Sequence, residues 1–376
     1  MSRSARTCRA LLAILMIVSP VAAGAWGRQG HDMVARLAVD LLTRTEKEAN
    51  TRFWRFNRYD LGYFSNVPDL VFRMRPEEAK QFEPPVHYVD LDNLLAPEQA
   101  ATLPLDAQQV FSCFGGKPAR ISDGPLDVWN NGVLIWRAQQ LYDELIRLMA
   151  NAKQKEGGDP GAAAQQAAYA QLVRRTAEVA GFLSHYVADA AMPYHACTDY
   201  DGWEAQNGGV HKFFETDLLD ELGPRFEDSV LALAESRREG ILAHLRELRN
   251  EPAAFPRDLV LALLTDSLRN KPEVERLDKE AAVLEKSVRT DEEKTAAARR
   301  PAAEVVERFV PILRERLATG VVVLAEVWRQ AWASAQRPVL RDAKYPEFRP
   351  EPEYIVLRPE MLWKEGQACS WPARKP

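Results

Sequence analysis

The segment 182–195, FLSHYVADAAMPYH, constrains the fold of this chain more than any other stretch. It sits in a run, 162–191, whose apolar spacing reads as one helix. His185 and Asp189 are four residues apart within it, so an imidazole and a carboxylate share one helix face, one turn apart. Their neighbours are almost all apolar, which points that face inward. Burying both groups with nothing to balance them would be costly. The economical solution is a helical bundle that holds a metal ion in its core. Pro193 should end the helix, which leaves His195 projecting from the turn just beyond it.

The rest of the chain is compatible with such a bundle. Helical periodicity recurs over 34–49, 127–153, 210–222, 229–249, 257–269 and 302–335, with Pro311 expected to kink or split the last. No run of alternating strand residues separates these segments, and the only extended pieces expected are short ones at 86–91 and 354–357. The expected fold class is all-α, with one helical domain over 26–336 and a proline-punctuated tail over 337–376. Within the domain, 270–300 is rich in charge and poor in large apolar residues, so a solvated helix or mobile excursion is expected there.

The first 25 residues read as a signal peptide. Arg3, Arg6 and Arg9 precede an apolar stretch, 10–19, too short to span a bilayer, and Ala23-Gly24-Ala25 gives the small-x-small cleavage pattern. Cleavage before Trp26 would deliver a secreted or periplasmic protein with no stable membrane span. The whole chain carries 49 basic and 54 acidic residues, a net charge of −5. That argues against gripping nucleic acid through a large positive field. Cys113, Cys197 and Cys369 would remain after cleavage, enough for at most one internal disulfide whose pairing spacing does not reveal. No CxxC is present.

There are six histidines, at 31, 87, 185, 195, 211 and 244. About one His-x-x-x-acid pair is expected by chance, yet three occur: His185 with Asp189, His195 with Asp199, and His211 with Glu215. Neutral imidazole and carboxylate together suit zinc. His31 lies five residues after Trp26. A freed α-amine at Trp26, with the carbonyl of the same residue, would form a five-membered metal chelate.

Taken together, these residues resemble the bacterial zinc-dependent phospholipases C and the related single-strand-specific zinc nucleases. The resemblance spans about 26–220 and implies a mostly helical domain with three zinc ions. It implies that Asp69 in SNVPDLVFR and His87 in PPVHYVD join His185 and Asp189 at one zinc. Asp189 would bridge to a second, held also by His31 and the amine and carbonyl of Trp26. His195, His211 and Glu215 would hold the third. Asp199 falls outside that ligand set, Asp90 and Asp92 could orient a histidine, and His244 is left to the surface. The implied chemistry is phosphodiester hydrolysis by a hydroxide shared between paired zincs, with Asp69 orienting or deprotonating it.

The substrate patterns are mixed. The short Trp26-to-His31 spacing resembles the nucleases, whereas Glu215 and the short gap from His195 to His211 resemble the phospholipases. Gln29 and Leu70 stand where the best-known phospholipases carry choline-pocket residues, and the nuclease Gly-Gly-Asn element does not appear. Tyr63, Phe64, Tyr88, Tyr194 and Trp203 could stack a base, though wall or core is the commoner role for such rings. The leading expectation is a secreted phospholipase C-like phosphodiesterase acting on phospholipid or another phosphodiester. A single-strand-specific nuclease is the alternative, and a non-catalytic zinc-binding protein the second alternative. The sequence names no protein partner.

Overall fold

Helix after helix buries one face while keeping charge on the other, and α-helices with their connecting turns make up nearly the whole of the computed structural model. It describes residues 26–46, 48–74, 82–114, 129–156, 163–248, 254–290, 292–341 and 352–364. The expected signal peptide, Cys369 and much of the expected tail lie outside these residues. The main helices are α1 (Gly27–Thr45), α2 (Glu48–Phe56), α3 (Arg58–Ser65), α4 (Ala107–Phe114), α5 (Leu134–Lys155) and α6 (Ala163–Ala191). They continue with α7 (Pro224–Glu247), α8 (Arg257–Leu277) and α9 (Ala302–Ser334).

Two of them form the centre. α6 packs against α1, α3, α5, α8 and α9, and α9 in turn packs against α1, α5, α7 and α8. The reason is composition: Val321–Ala325 of α9 and every residue from Val179 to Cys197 along α6 and its exit are buried. Aromatic pairs lock the layers, with Trp54 stacked on Trp328 at 4.9 Å and Phe182 edge-on to Phe72 at 5.1 Å. Such pairs are worth about 0.5–1.5 kcal/mol beyond the area they bury. Arg316 is wholly buried in α9, where it donates to Ala191 O at 3.1 Å and Ser267 Oγ at 2.8 Å and pairs with Asp266. Among the described residues no helix is long and apolar enough to cross a membrane.

Three local expectations need correction. Pro311 does not split α9, which runs unbroken through it. The lost backbone bond costs about 3 kcal/mol, and the buried side chains Val306, Phe309, Ile312 and Leu313 on either side outweigh it. The stretch near 86–91 is extended only in part: a 3-10 turn, Pro84–His87, leads into extended Tyr88, and a short helix, Leu91–Leu94, follows, while 354–357 lies outside every helix and strand among the described residues. The region 270–300 instead holds the only strands among the described residues. α8 continues to Leu277, and then β1 (Val283–Glu285) pairs antiparallel with β4 (Ala298–Arg299), and β2 (Val288–Arg289) with β3 (Lys294–Thr295). Strands of two or three residues are too short to leave a period-2 pattern, so charge was their only visible trait.

Candidate metal centre

Seven separate elements deliver the polar side chains to one region of the core. The first turn of α1 brings His31, and a π-helical turn, Pro68–Phe72, brings Asp69. The 3-10 turn Pro84–His87 ends on His87, α6 carries His185 and Asp189, and the turn Pro193–Ala196 carries His195. His211 and Glu215 come from Val210–Lys212 and a second π-helical turn, Phe213–Asp217. These two of the three π-helical turns among the described residues each place a carboxylate of the groups, and such irregular turns tend to fall at functional sites.

The eight side chains form three groups, and within each the possible ligand atoms lie within 4.8 Å of one another: His31, His185 and Asp189; Asp69, His87 and His185; and His195, His211 and Glu215. Asp189 faces two ways. Its Oδ1 is 3.4 Å from His31 Nε2, while its Oδ2 is 3.0 Å from His87 Nδ1 and 3.3 Å from His185 Nε2. Asp69 lies opposite, 3.7 Å from His185 Nε2, 3.8 Å from His87 Nδ1 and 3.9 Å from His31 Nε2. His31 stacks on His185 with ring centroids 4.0 Å apart.

The backbone fixes which nitrogen of each ring is available. His185, His195 and His211 donate their Nδ1–H to the carbonyls of Ser65, His87 and Tyr200, at 2.8, 2.6 and 2.7 Å. A carbonyl can only accept, so these protons sit on Nδ1, and each neutral ring turns an Nε2 lone pair into a group. His195 Nε2 and His211 Nε2 then face each other at 3.1 Å, with Glu215 Oε2 3.0 Å from the latter. Acceptors gathered this closely repel unless a proton or a cation lies among them. Asp189 Oδ1 and Glu215 Oε1 are buried and accept no hydrogen bond, which is costly in a protein interior.

Burial displaces the ionisation of these groups in the direction of neutrality. It raises Asp69 to about 6, with Arg73 opposing, and pushes Asp189 and Glu215 upward as well. The same desolvation drives His87, His185 and His195 well down. Burial also acts to lower His211, but the Glu215 charge and hydrogen bond overcome it and leave it raised. A divalent cation relieves all of these strains at once, because it stabilises carboxylate charge and takes up imidazole lone pairs. The donor set, nitrogen plus carboxylate oxygen with no thiolate, fits zinc.

Trp26 is fully buried, and its ring nitrogen donates to Ala188 O at 2.7 Å. Its backbone N–H donates to Glu215 Oε2 at 2.7 Å, so this contact joins it to the third group, while its carbonyl accepts from Gly30 N. Gly27 follows with φ +47°, and a Cβ there would stand 2.8 Å from Thr216 Oγ1, so glycine lets the backbone pass this close to the Glu215 turn.

Other candidates fall outside the groups. Asp199 accepts from Glu204 N at 3.2 Å and lies 3.7 Å from Lys271. Asp92 holds Thr198 through its backbone N at 2.9 Å. Asp90 is raised to about 8, by burial first and then by Asp92. His244 pairs with Asp266 on the surface. Cys113 is disulfide-bonded, and Cys197 is a buried free thiol. Tyr194 and Phe64 are buried, whereas Tyr63 is exposed. The sequence reading missed Glu83, a wholly buried carboxylate 3.3 Å from His87 Nε2. Its spacing of four before His87 was a visible signal, masked by the two prolines between them.

No protein-family model and no curated protein sequence matches this chain. Among solved structures it is similar to the alpha-toxin of Clostridium perfringens from avian strain SWCP, with a TM-score of 0.36 and 15% identity over 82% of this chain. This chain spans 64% of that toxin chain, less than two thirds of its length.

Proposed function

We propose that this chain is an exported zinc-dependent phosphodiesterase of the phospholipase C type. The observation that carries the proposal is the convergence of imidazole lone pairs and carboxylates in three adjoining buried groups, with Asp189 shared between the first two. His31, Asp69, His87, His185 and Asp189 would hold a pair of zinc ions, and His195, His211 and Glu215 a third, with the Trp26 amine as a further donor after processing. Zinc bound there supplies Lewis acidity toward a phosphoryl oxygen and lowers the pKa of bound water from 15.7 to about 7.

The chain's own residues do the rest. Asp69 has more solvent exposure, at 11%, than His31, His87, His185 or Asp189, so its carboxylate is the one placed to meet substrate and accept a proton from the attacking water. Arg73 Nε, 3.2 Å from Asp69 Oδ1, adds positive charge at the same edge and suits a phosphate oxygen. Lipid is favoured over nucleic acid by Glu215 as the last acid and by the short gap from His195 to His211. The short spacing from Trp26 to His31 favours single-strand nuclease action, which is the second reading.

The test is a side-by-side assay of mature, zinc-loaded protein on phospholipid micelles and on single-stranded DNA and RNA, with and without chelator. Chelator-sensitive lipid hydrolysis is the expected result. Nucleotide release alone would establish the second reading instead. A zinc-loaded protein that left every phosphoester intact would be a binding protein with no turnover.

A further inference from the structure

His87 is oriented unlike its neighbours. His185, His195 and His211 commit Nδ1 to a carbonyl, but His87 turns Nδ1 into the cluster, 2.9 Å from His185 Nε2 and 3.0 Å from Asp189 Oδ2. If Nδ1 is the nitrogen that meets a metal ion, the single proton of the neutral ring must sit on Nε2. That nitrogen is buried and makes no hydrogen bond in this geometry, and its charged neighbour is Glu83 Oε1 at 3.3 Å. Glu83 is itself fully buried, and its Oε1 accepts the Tyr186 hydroxyl at 2.7 Å. The Tyr186 hydroxyl accepts in turn from Arg137 Nη2 at 3.3 Å. Arg137, also wholly buried, lies over the Tyr186 ring at 5.0 Å and the Tyr354 ring at 5.7 Å, and its Nη1 donates to Ile355 O. Gln140 Nε2 ties the same segment down through Val356 O at 2.8 Å.

We propose that Glu83 is a positioning residue: its carboxylate holds the His87 proton on Nε2 and so presents Nδ1 to the metal group, and the Tyr186–Arg137 relay anchors it to the carboxy-terminal segment at 354–356. This rests on the reading of the groups as zinc sites. The physical basis is general. A carboxylate behind a ligating imidazole fixes the tautomer and raises ligand basicity, and its loss costs about 10–100-fold in metal affinity. Arg137 brings positive charge to the same buried chain of contacts through the Tyr186 hydroxyl. The carboxy-terminal segment thereby becomes part of the metal site without touching it.

The test measures zinc affinity by competition with a chromophoric chelator, for the wild type, Glu83→Gln and Tyr186→Phe, with the 15N shifts of the His87 ring recorded in the zinc-loaded state. Glu83→Gln keeps the shape and the acceptor oxygen but loses the charge. Tyr186→Phe keeps the buried Glu83–Arg137 charges and removes only the hydroxyl. In the wild type the His87 proton should reside on Nε2. Glu83→Gln should weaken one class of zinc site at least tenfold, Tyr186→Phe by a smaller factor, with the His195–His211–Glu215 site unchanged in both. Wild-type affinity in a folded Glu83→Gln protein overturns the proposal, as does a His87 proton found on Nδ1. If Glu83→Gln does not fold, Tyr186→Phe decides, and unchanged affinity there overturns it. A wild type that takes up no zinc would instead remove the metal-site reading itself.

Discussion

Asp69 is where burial and solvent meet in this molecule, and its ionisation makes the clearest residue-level predictions. Burial raises it to about 6 in the metal-free protein, against about 3.9 in an unfolded chain. The folded protein therefore retains a proton that the unfolded chain has released between those values. That contribution to metal-free stability is full below about pH 4 and is lost as pH rises through about 6. The stability of metal-free Asp69→Asn relative to wild type should accordingly rise over pH 4 to 6, by up to about 2–3 kcal/mol at 1.36 kcal/mol per pKa unit; urea titrations across that range check it, and a flat difference would refute it. Zinc must displace the same proton, so affinity should increase over the same window. If the zinc-loaded protein turns over phosphodiesters as proposed, Asp69→Asn should lower kcat by about 100-fold or more, with zinc at His195, His211 and Glu215 retained. Full turnover would remove Asp69 from the reaction. A chain beginning at Trp26 should also bind zinc more tightly than one with an added Met before it. Equal metal content and affinity would show that the α-amine is no ligand. Spacing four apart exposed His185 with Asp189 and His211 with Glu215 without a fold, whereas Asp69 and His87 were reached only through the family resemblance. The sequence did not expose Glu83, whose partner on α6, Tyr186, is 103 residues away.

At the scale of elements, the hairpin made by β1 to β4 has a structural task that its charged sequence concealed. The residues linking its strands grip the loop that precedes His211: Ala297 N donates to Gly208 O at 3.0 Å, Ser287 N to Gln206 O at 3.1 Å, and Gly208 N to Ser287 Oγ at 2.9 Å. Arg299 closes the clamp, with Nε and Nη2 each 2.9 Å from the fully buried Asp278 and Nη1 3.1 Å from Gly208 O. The same loop provides the Tyr200 carbonyl that sets the His211 tautomer and the Asp201 carboxylate that accepts His211 N. Arg299→Ala leaves Asp278 buried and uncompensated, a change that costs about 3–5 kcal/mol. It should lower the urea midpoint accordingly and weaken zinc at the His195–His211–Glu215 group more than at the other two. Unaltered stability would show that the clamp is dispensable. The long helices were legible because their apolar period persists over many turns. The hairpin and the π turns at Asp69 and Glu215 were not, because contacts with distant chain, rather than local periodicity, hold them.

For the molecule as a whole, the core is built around charge it cannot stabilise alone. Five imidazoles, three of them with Nδ1–H committed to a carbonyl, and three carboxylates are gathered in the core by α1, α6 and the short turns between helices, so metal uptake there would be coupled to folding. The acidic net charge of −5 is a poor guide to the field at the site, since divalent ions there would invert its sign locally. Chelation should lower the melting temperature by far more than a surface site would, in proportion to RT ln(1 + [Zn]/Kd). The most direct measurement is the metal content of mature protein purified without chelator, read by elemental analysis together with anomalous scattering from its crystals. The account predicts three zinc ions per chain, two beside Asp189 and one among His195, His211 and Glu215. A protein that crystallises in this fold with those side chains bonded only to each other, and with no metal even after zinc is supplied, would contradict it.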